Sequence, residues 1–225
     1  MQNNPEHIFI TLDGCHKWAE NNNLSVLEAY KKAFCSLKDV VSGCKELDIN
    51  CLTAVLVDSK EETIGLLIDF LEEILKEFCD VKYSVVMDSR LCGNDKEKID
   101  KLVESTKDNK GLNLIIALDY NGKQEILDAV NNIIQDYKEN KIKIKDINND
   151  MFNNYLYSKN LPEPDLVIRT DNNKNMKNLC LWQVAYSELY ILEKLWPDFG
   201  KQDFFKAIES FGTRERRFGN IGEKK

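Results

Sequence analysis

The chain has 225 residues, 43% of them hydrophobic and 9% aromatic, which supplies one generous domain core and excludes a disordered polymer. The formal net charge of -7 argues against a nucleic-acid binder, which would show a basic face. No apolar run approaches the roughly 20 residues that span a bilayer, no G-x-x-x-x-G-K-[ST] or G-x-G-x-x-G loop is present, and the start MQNNPEH indicates no signal peptide.

In chain order, HIFITL (7–12) predicts a buried strand. A helix follows over 26–47, with apolar residues at Leu27, Tyr30, Phe34, Leu37, Val40, Val41 and Cys44, and with Ser25 and Glu28 in capping-box spacing. CLTAVLV (51–57) reads as a strand, 63–78 as a strongly apolar helix, and 82–88, 112–118 and 165–170 as further strands. Helices are expected at about 95–107, 122–138 and 147–157. This alternation predicts an α/β fold with a mainly parallel central sheet covered by helices on both faces. No linker or repeat divides the chain, so 1–225 is read as a single domain.

The seven cysteines are odd in number and form no C-x-x-C pair, and only His7 and His16 could join them on zinc. They read as reduced thiols packed as small apolar groups, which points to the cytoplasm.

In a parallel sheet, ligands bind beyond the carboxyl ends of the strands. Asp13, in FITLDGCHKW, and Arg169 each sit at the end of a predicted strand and, if both strands run parallel, share one rim. A carboxylate and a guanidinium there suit a metal-bound phosphate, the acid for Mg²⁺ and the arginine for phosphate oxygens. On these residues alone, solvated surface charge remains an equal reading.

Four stretches of the last third, PEPDLVIRT (162–170), LWQVAYSELY (181–190), LWPDF (195–199) and RERRFG (214–219), add to DGCHKW (13–18). In order and spacing they resemble the cis-prenyltransferase family typified by undecaprenyl diphosphate synthase. LDYNGKQEI (118–126) resembles that family's N-Y-G-G-R segment, loosely kept. The resemblance implies a parallel sheet flanked by helices, an apolar tunnel with 63–78 and 82–88 as candidate walls, and a homodimer. It implies condensation of isopentenyl diphosphate with an allylic prenyl diphosphate, with Mg²⁺ as cofactor. The lipid product implies peripheral contact with a membrane.

Carried over residue by residue, Asp13 falls on the family's Mg²⁺-linked aspartate, and Glu188 on a second acid associated with the metal. Gly14 would let backbone N–H groups approach phosphate, and Trp18 matches the motif tryptophan. Arg169 matches an arginine that binds the isopentenyl diphosphate. Arg216, Arg217 and Gly219 match a tail that reaches the dimer interface and the neighbouring site. His16 stands at a variable position and is expected to be exposed. Cys15 and Lys17 replace the asparagine and arginine of D-G-N-x-R-W, and Cys15 either packs or lies in the site. Lysine keeps the charge and loses the planar fork.

Other departures also touch phosphate contacts. A family arginine is replaced around Val26, and a Gly-His pair reads Ala29-Tyr30. The loop F-S-x-E-N-W-x-R-P reads VDSKEETIG (57–65). R-T-G-G-E-x-R-x-S-N reads RTDNNKNMKN (169–178), so Asn175 and Lys177 replace an arginine and a serine. Lys174 and Lys177 could restore charge, against the nearby Asp171. Charged hydrogen bonds contribute roughly 1.5–3 kcal/mol each, so three lost without compensation would remove several orders of magnitude of rate. Three readings follow: an active cis-prenyltransferase with an altered allylic site, an irregular (lavandulyl-type) coupling or cyclising synthase, and a silent subunit of a heteromeric enzyme. Lavandulyl-type relatives carry tyrosine near the position of Tyr30. Silent chains generally lack the metal aspartate that Asp13 supplies here.

Overall fold

The computed structural model describes residues 4–56, 60–87, 94–118, 120–159, 161–176 and 179–214. In chain order these form β1 (His7–Thr11), α1 (Cys15–Asn22), α2 (Val26–Glu46), β2 (Cys51–Leu56), α3 (Glu61–Glu77), β3 (Lys82–Met87) and α4 (Asn94–Thr106). There follow β4 (Asn113–Leu118), α5 (Gly122–Lys138), α6 (Asn149–Asn153), β5 (Leu166–Arg169), β6 (Glu188–Ile191) and α7 (Lys201–Gly212). The strands make one six-stranded sheet in the order β3-β4-β2-β1-β5-β6, every neighbouring pair parallel.

β1 is buried along its whole length because both faces of the sheet are covered. Side chains alternate between those faces. Ile8, Ile10, Leu52, Ala54, Leu114, Ile116 and Ile168 join the larger core with α2, α3 and α7. Phe9, Val55, Ile115, Ala117 and Val167 face the opposite side, toward Tyr120, Leu179 and Val184.

The long helix α2 begins where its chemistry predicts. The Ser25 hydroxyl accepts from Glu28 N–H at 3.2 Å, and a Glu28 carboxylate oxygen accepts from Ser25 N–H at 2.9 Å. This box contributes about 1 kcal/mol. Its buried stripe runs Tyr30, Phe34, Leu37, Val41 and Cys44, at helical spacing.

A polar knot ties the second face together. The Glu125 side chain is fully buried. One oxygen accepts from Tyr157 N–H at 2.9 Å, and from Ser158 N–H and hydroxyl at 3.2 Å each. The other accepts from the Tyr120 hydroxyl. Four donors around one carboxylate offset its desolvation and pin the 157–158 chain to α5.

Cys15, Cys44, Cys51 and Cys180 are buried free thiols, and Cys35 and Cys79 are exposed. Burial pushes the Cys180 thiol up to about 12, which suits a packed, unreactive group. Cys92 lies outside the described residues. Among those residues, no helix is long and apolar enough to cross a membrane.

The expected helix at 147–157 is confined to Asn149–Asn153. Its stretch is rich in asparagine, which hydrogen-bonds locally in competition with a helix. Helices α1 and α7 and strand β6 are additions to the sequence-based reading.

Candidate active site

Strand order reverses around β1, which has β2 on one side and β5 on the other. In open parallel sheets ligands usually bind in a crevice beyond the carboxyl ends of the strands at such a reversal, which here is the rim of β1 and β5. Ile10 pairs with Ile168, so Thr11 and Arg169 stand side by side one step further along. Alternation sends both toward the Phe9 and Val167 face.

Both residues serve Asp13. Its Oδ2 accepts from Arg169 Nε at 3.0 Å, from Arg169 Nη2 at 2.8 Å, and from the Thr11 hydroxyl. Arg169 Nη1 donates to the Asn175 carbonyl at 2.7 Å. The Arg169 side chain is 2% exposed and that of Asp13 15%, so this is a nearly dry ion pair at that rim. Such a pair offsets its desolvation only through further hydrogen bonds, which Thr11 and Asn175 provide. The Asp13 carbonyl is also held, by the Thr170 hydroxyl at 3.0 Å and by Trp196 N–H at 3.0 Å.

Gly14 follows with φ +92° and caps α1. A Cβ there would lie 2.8 Å from Leu195 Cδ2 and 3.3 Å from Asp171 Cβ. Glycine is thus required by backbone conformation and by space. The turn swings the first N–H groups of α1 toward the rim, where they lack intrahelical acceptors.

The other candidates on α1 diverge. Cys15 is buried, its thiol 3.5 Å from the Leu12 carbonyl, so of its two readings packing is the one observed. His16 is exposed and meets the buried Tyr30 edge-on at 6.4 Å. Lys17 pairs with Asp171 at 2.7 Å. Trp18 donates from its indole to Asp198 at 2.9 Å, which ties α1 to the LWPDF turn.

Asp171 and Asn172 stand at φ +57° and +48°, where the family pattern has two glycines. Asp and Asn are the side chains that tolerate the left-handed region best, so the turn survives the replacement. Lys174 and Asn175 are exposed on this loop. Lys177, Arg216, Arg217 and Gly219 lie outside the described residues, as does 57–59 of the shortened loop.

Glu188 stands apart. It opens β6 in register with Leu166, whereas Arg169 pairs with Ile191, so Glu188 lies at the opposite rim of the sheet from Asp13. It pairs with Arg214 at 2.9 Å. Within one chain the two acids do not meet, and among the described residues no three His, Cys, Asp or Glu side chains form a metal-holding set.

Sequence reasoning passed over Thr11, Thr170 and the Trp196 amide, which position Asp13. The only available signal was their place, Thr11 as the last residue of β1 and Thr170 one step past β5.

The site suits Mg²⁺ in one specific way. All hydrogen bonds to Asp13 found among the described residues fall on Oδ2, which leaves Oδ1 without one at the rim. Mg²⁺ takes one or two carboxylates and completes its shell with water and substrate phosphate, so a single acid is an adequate protein ligand.

Comparison with known proteins shows the family and the fold. A model of the undecaprenyl diphosphate synthase family of prenyltransferases matches residues 11–219. The chain is 37% identical to an isoprenyl transferase of Clostridium perfringens, over 96% of this chain and 90% of that protein. Its fold is similar to lavandulyl diphosphate synthase from Lavandula x intermedia, solved with dimethylallyl diphosphate, with a TM-score of 0.90 and 29% identity, covering 96% and 99% of the two chains. It is also similar to a probable undecaprenyl diphosphate synthase from Campylobacter jejuni, with a TM-score of 0.75 and 26% identity, covering 97% and 100%. The chain therefore belongs to the undecaprenyl diphosphate synthase family of prenyltransferases.

Proposed function

We propose that this protein condenses isopentenyl diphosphate with an allylic prenyl diphosphate to give a cis-prenyl diphosphate one isoprene unit longer. The observation that carries the reading is the Asp13–Arg169 pair at the carboxyl rim of β1 and β5. In the reaction the allylic C–O bond breaks, diphosphate departs, the double bond of isopentenyl diphosphate attacks the carbocation, and a proton is lost.

The chain's own residues meet the needs of that reaction. Arg169, held by Asp13 and the Asn175 carbonyl, supplies a fixed positive charge at this rim for the phosphate oxygens of isopentenyl diphosphate. Gly14 and the first turn of α1, with Lys17, offer N–H groups and a cation to the departing diphosphate. Asp13 would hold Mg²⁺ through Oδ1. When bound, Mg²⁺ withdraws negative charge from the leaving group. The apolar stripe of α3, with Ile64, Leu67, Ile68 and Leu71, is buried in the larger core against α2, and a tunnel running along it would exclude water from the cation. Glu188 sits on a half-exposed edge strand, so it joins a metal shell only across an interface with a second copy; this fits a cytoplasmic homodimer. An isoprenoid product would bring the protein into contact with a membrane surface.

The test is product analysis of the purified protein with Mg²⁺, isopentenyl diphosphate and, in turn, dimethylallyl, geranyl and farnesyl diphosphate. Elongated linear products that vanish in Asp13→Asn support the reading. Absence of products with every donor overturns it for the isolated chain.

A second reading is irregular, lavandulyl-type coupling. It is favoured by the TM-score of 0.90 to lavandulyl diphosphate synthase and by the buried Tyr30 beneath His16. Branched or cyclic product from dimethylallyl diphosphate alone would distinguish it.

A further inference from the structure

We infer that Asp171 is a specificity-determining residue that competes with the diphosphate for Lys17. The inference rests on the diphosphate reading above and concerns how tightly the lip of the site takes that anion.

Lys17 lies in the first turn of α1, three residues past Gly14, where its ammonium and the start of the helix would grip the same anion. The ammonium is already engaged, its Nζ 2.7 Å from Asp171 Oδ1. The side chains are 59% and 27% exposed, so an incoming anion can reach the pair.

Asp171 is fixed in place. Its backbone N–H donates to the Lys194 carbonyl at 2.9 Å, and that of Asn172 donates to the Leu192 carbonyl at 2.8 Å. The position of a Cβ on Gly14, 3.3 Å from Asp171 Cβ, shows that the aspartate leans on the turn that carries Asp13. A diphosphate that takes Lys17 must displace this carboxylate and then sit beside it. Like charges at that separation repel, and the repulsion falls when a divalent cation offsets part of the diphosphate charge. Asp171 therefore weakens the site for bare diphosphate more than for its Mg²⁺ complex. A position where the family pattern has glycine has become a charge filter.

The experiment is calorimetric titration of inorganic diphosphate, with and without Mg²⁺, into the full chain and its Asp171→Asn, Asp171→Gly and Lys17→Met variants. Asparagine preserves size and tolerates the left-handed backbone, and glycine relieves it, so at least one variant keeps the fold. The expected result is tightening by about 3- to 10-fold in both Asp171 variants without Mg²⁺, a smaller gain with it, and weakening in Lys17→Met. Equal or weaker binding in both Asp171 variants, or unchanged binding in Lys17→Met, overturns the inference and leaves the diphosphate reading intact. Absence of diphosphate binding in every protein, with and without Mg²⁺, overturns both.

Discussion

Asp13 and Arg169 are 156 residues apart in the chain and meet through a single carboxylate oxygen, 3.0 Å from Nε and 2.8 Å from Nη2 of the guanidinium. Under the proposed function, catalysis and stability are coupled in this contact. Asp13→Ala would leave the nearly buried guanidinium without its counter-charge and cost about 3 kcal/mol of stability. Asp13→Asn keeps an oxygen for Arg169 and should cost about 1 kcal/mol. Both should lower kcat by about 10²–10³. Denaturant unfolding beside product assays checks the split. An Asp13→Asn enzyme with wild-type turnover would remove Asp13 from the chemistry.

Gly14→Ala tests the turn that aims α1. Alanine at φ +92°, with its methyl against Leu195, should cost about 1–3 kcal/mol. It should lower turnover beyond what reduced folding explains. Melting temperature and kcat measured on the folded fraction separate the two effects.

A sharper steric prediction falls on α5. A Cβ on Gly122 would lie 2.3 Å from the Leu179 carbonyl, which is backbone and cannot swing aside. Gly122→Ala should therefore destabilise by about 3 kcal/mol or prevent soluble expression. A variant as stable as wild type would contradict the packing of α5 against residues 179–181.

Acid stability should carry the signature of His7. Its ring is held between the Pro162 carbonyl, 2.8 Å from Nδ1, and the Thr53 hydroxyl, 2.8 Å from Nε2. A carbonyl can only accept, so Nδ1 carries the proton and the ring is neutral. Burial lowers its pKa from 6.5 to about 4, against the opposing pull of the Pro162 carbonyl. Above about pH 6.5 the imidazole is neutral folded and unfolded, and stability is unaffected. As pH falls from there toward 4, the unfolded chain binds a proton that the folded one refuses. The chain should lose roughly 3 kcal/mol over that window. Urea unfolding from pH 7 to 4 should show this slope, and His7→Gln should lack it.

The sheet was legible because buried parallel strands are written as short apolar runs between periodic helices, and β1 to β5 match such runs within a residue or two. β6 was not, because Glu188–Ile191 is four residues long, half-exposed and polar at its start. α1 escaped because only Cys15 and Ala19 of its eight residues are buried, too few to set a period. α7 has a clear stripe in Phe204, Ala207, Ile208 and Phe211, a signal that was available.

In the site, Asp13 and Arg169 were legible as strand-end charges, and parallel pairing brings them together as expected. Glu188 could not be placed from its motif, since which rim a residue reaches depends on register, and register is a property of the sheet. The Lys17–Asp171 pair was visible only as two departures from a pattern. Their contact depends on a loop that returns along Leu192 and Lys194.

The position of β1 inside the sheet also has a consequence for biosynthesis. Strand β1 leaves the ribosome first, and β2, β3 and β4 can pair beside it as they emerge. Its other neighbour begins only at Leu166, and the amide that clamps the Asp13 carbonyl belongs to Trp196. A nascent chain can hold four strands together while Asp13 still waits for Arg169. The Asp13–Arg169 pair thus forms only after β5 has emerged, and closing the distant β1–β5 contact is the step expected to set the folding rate.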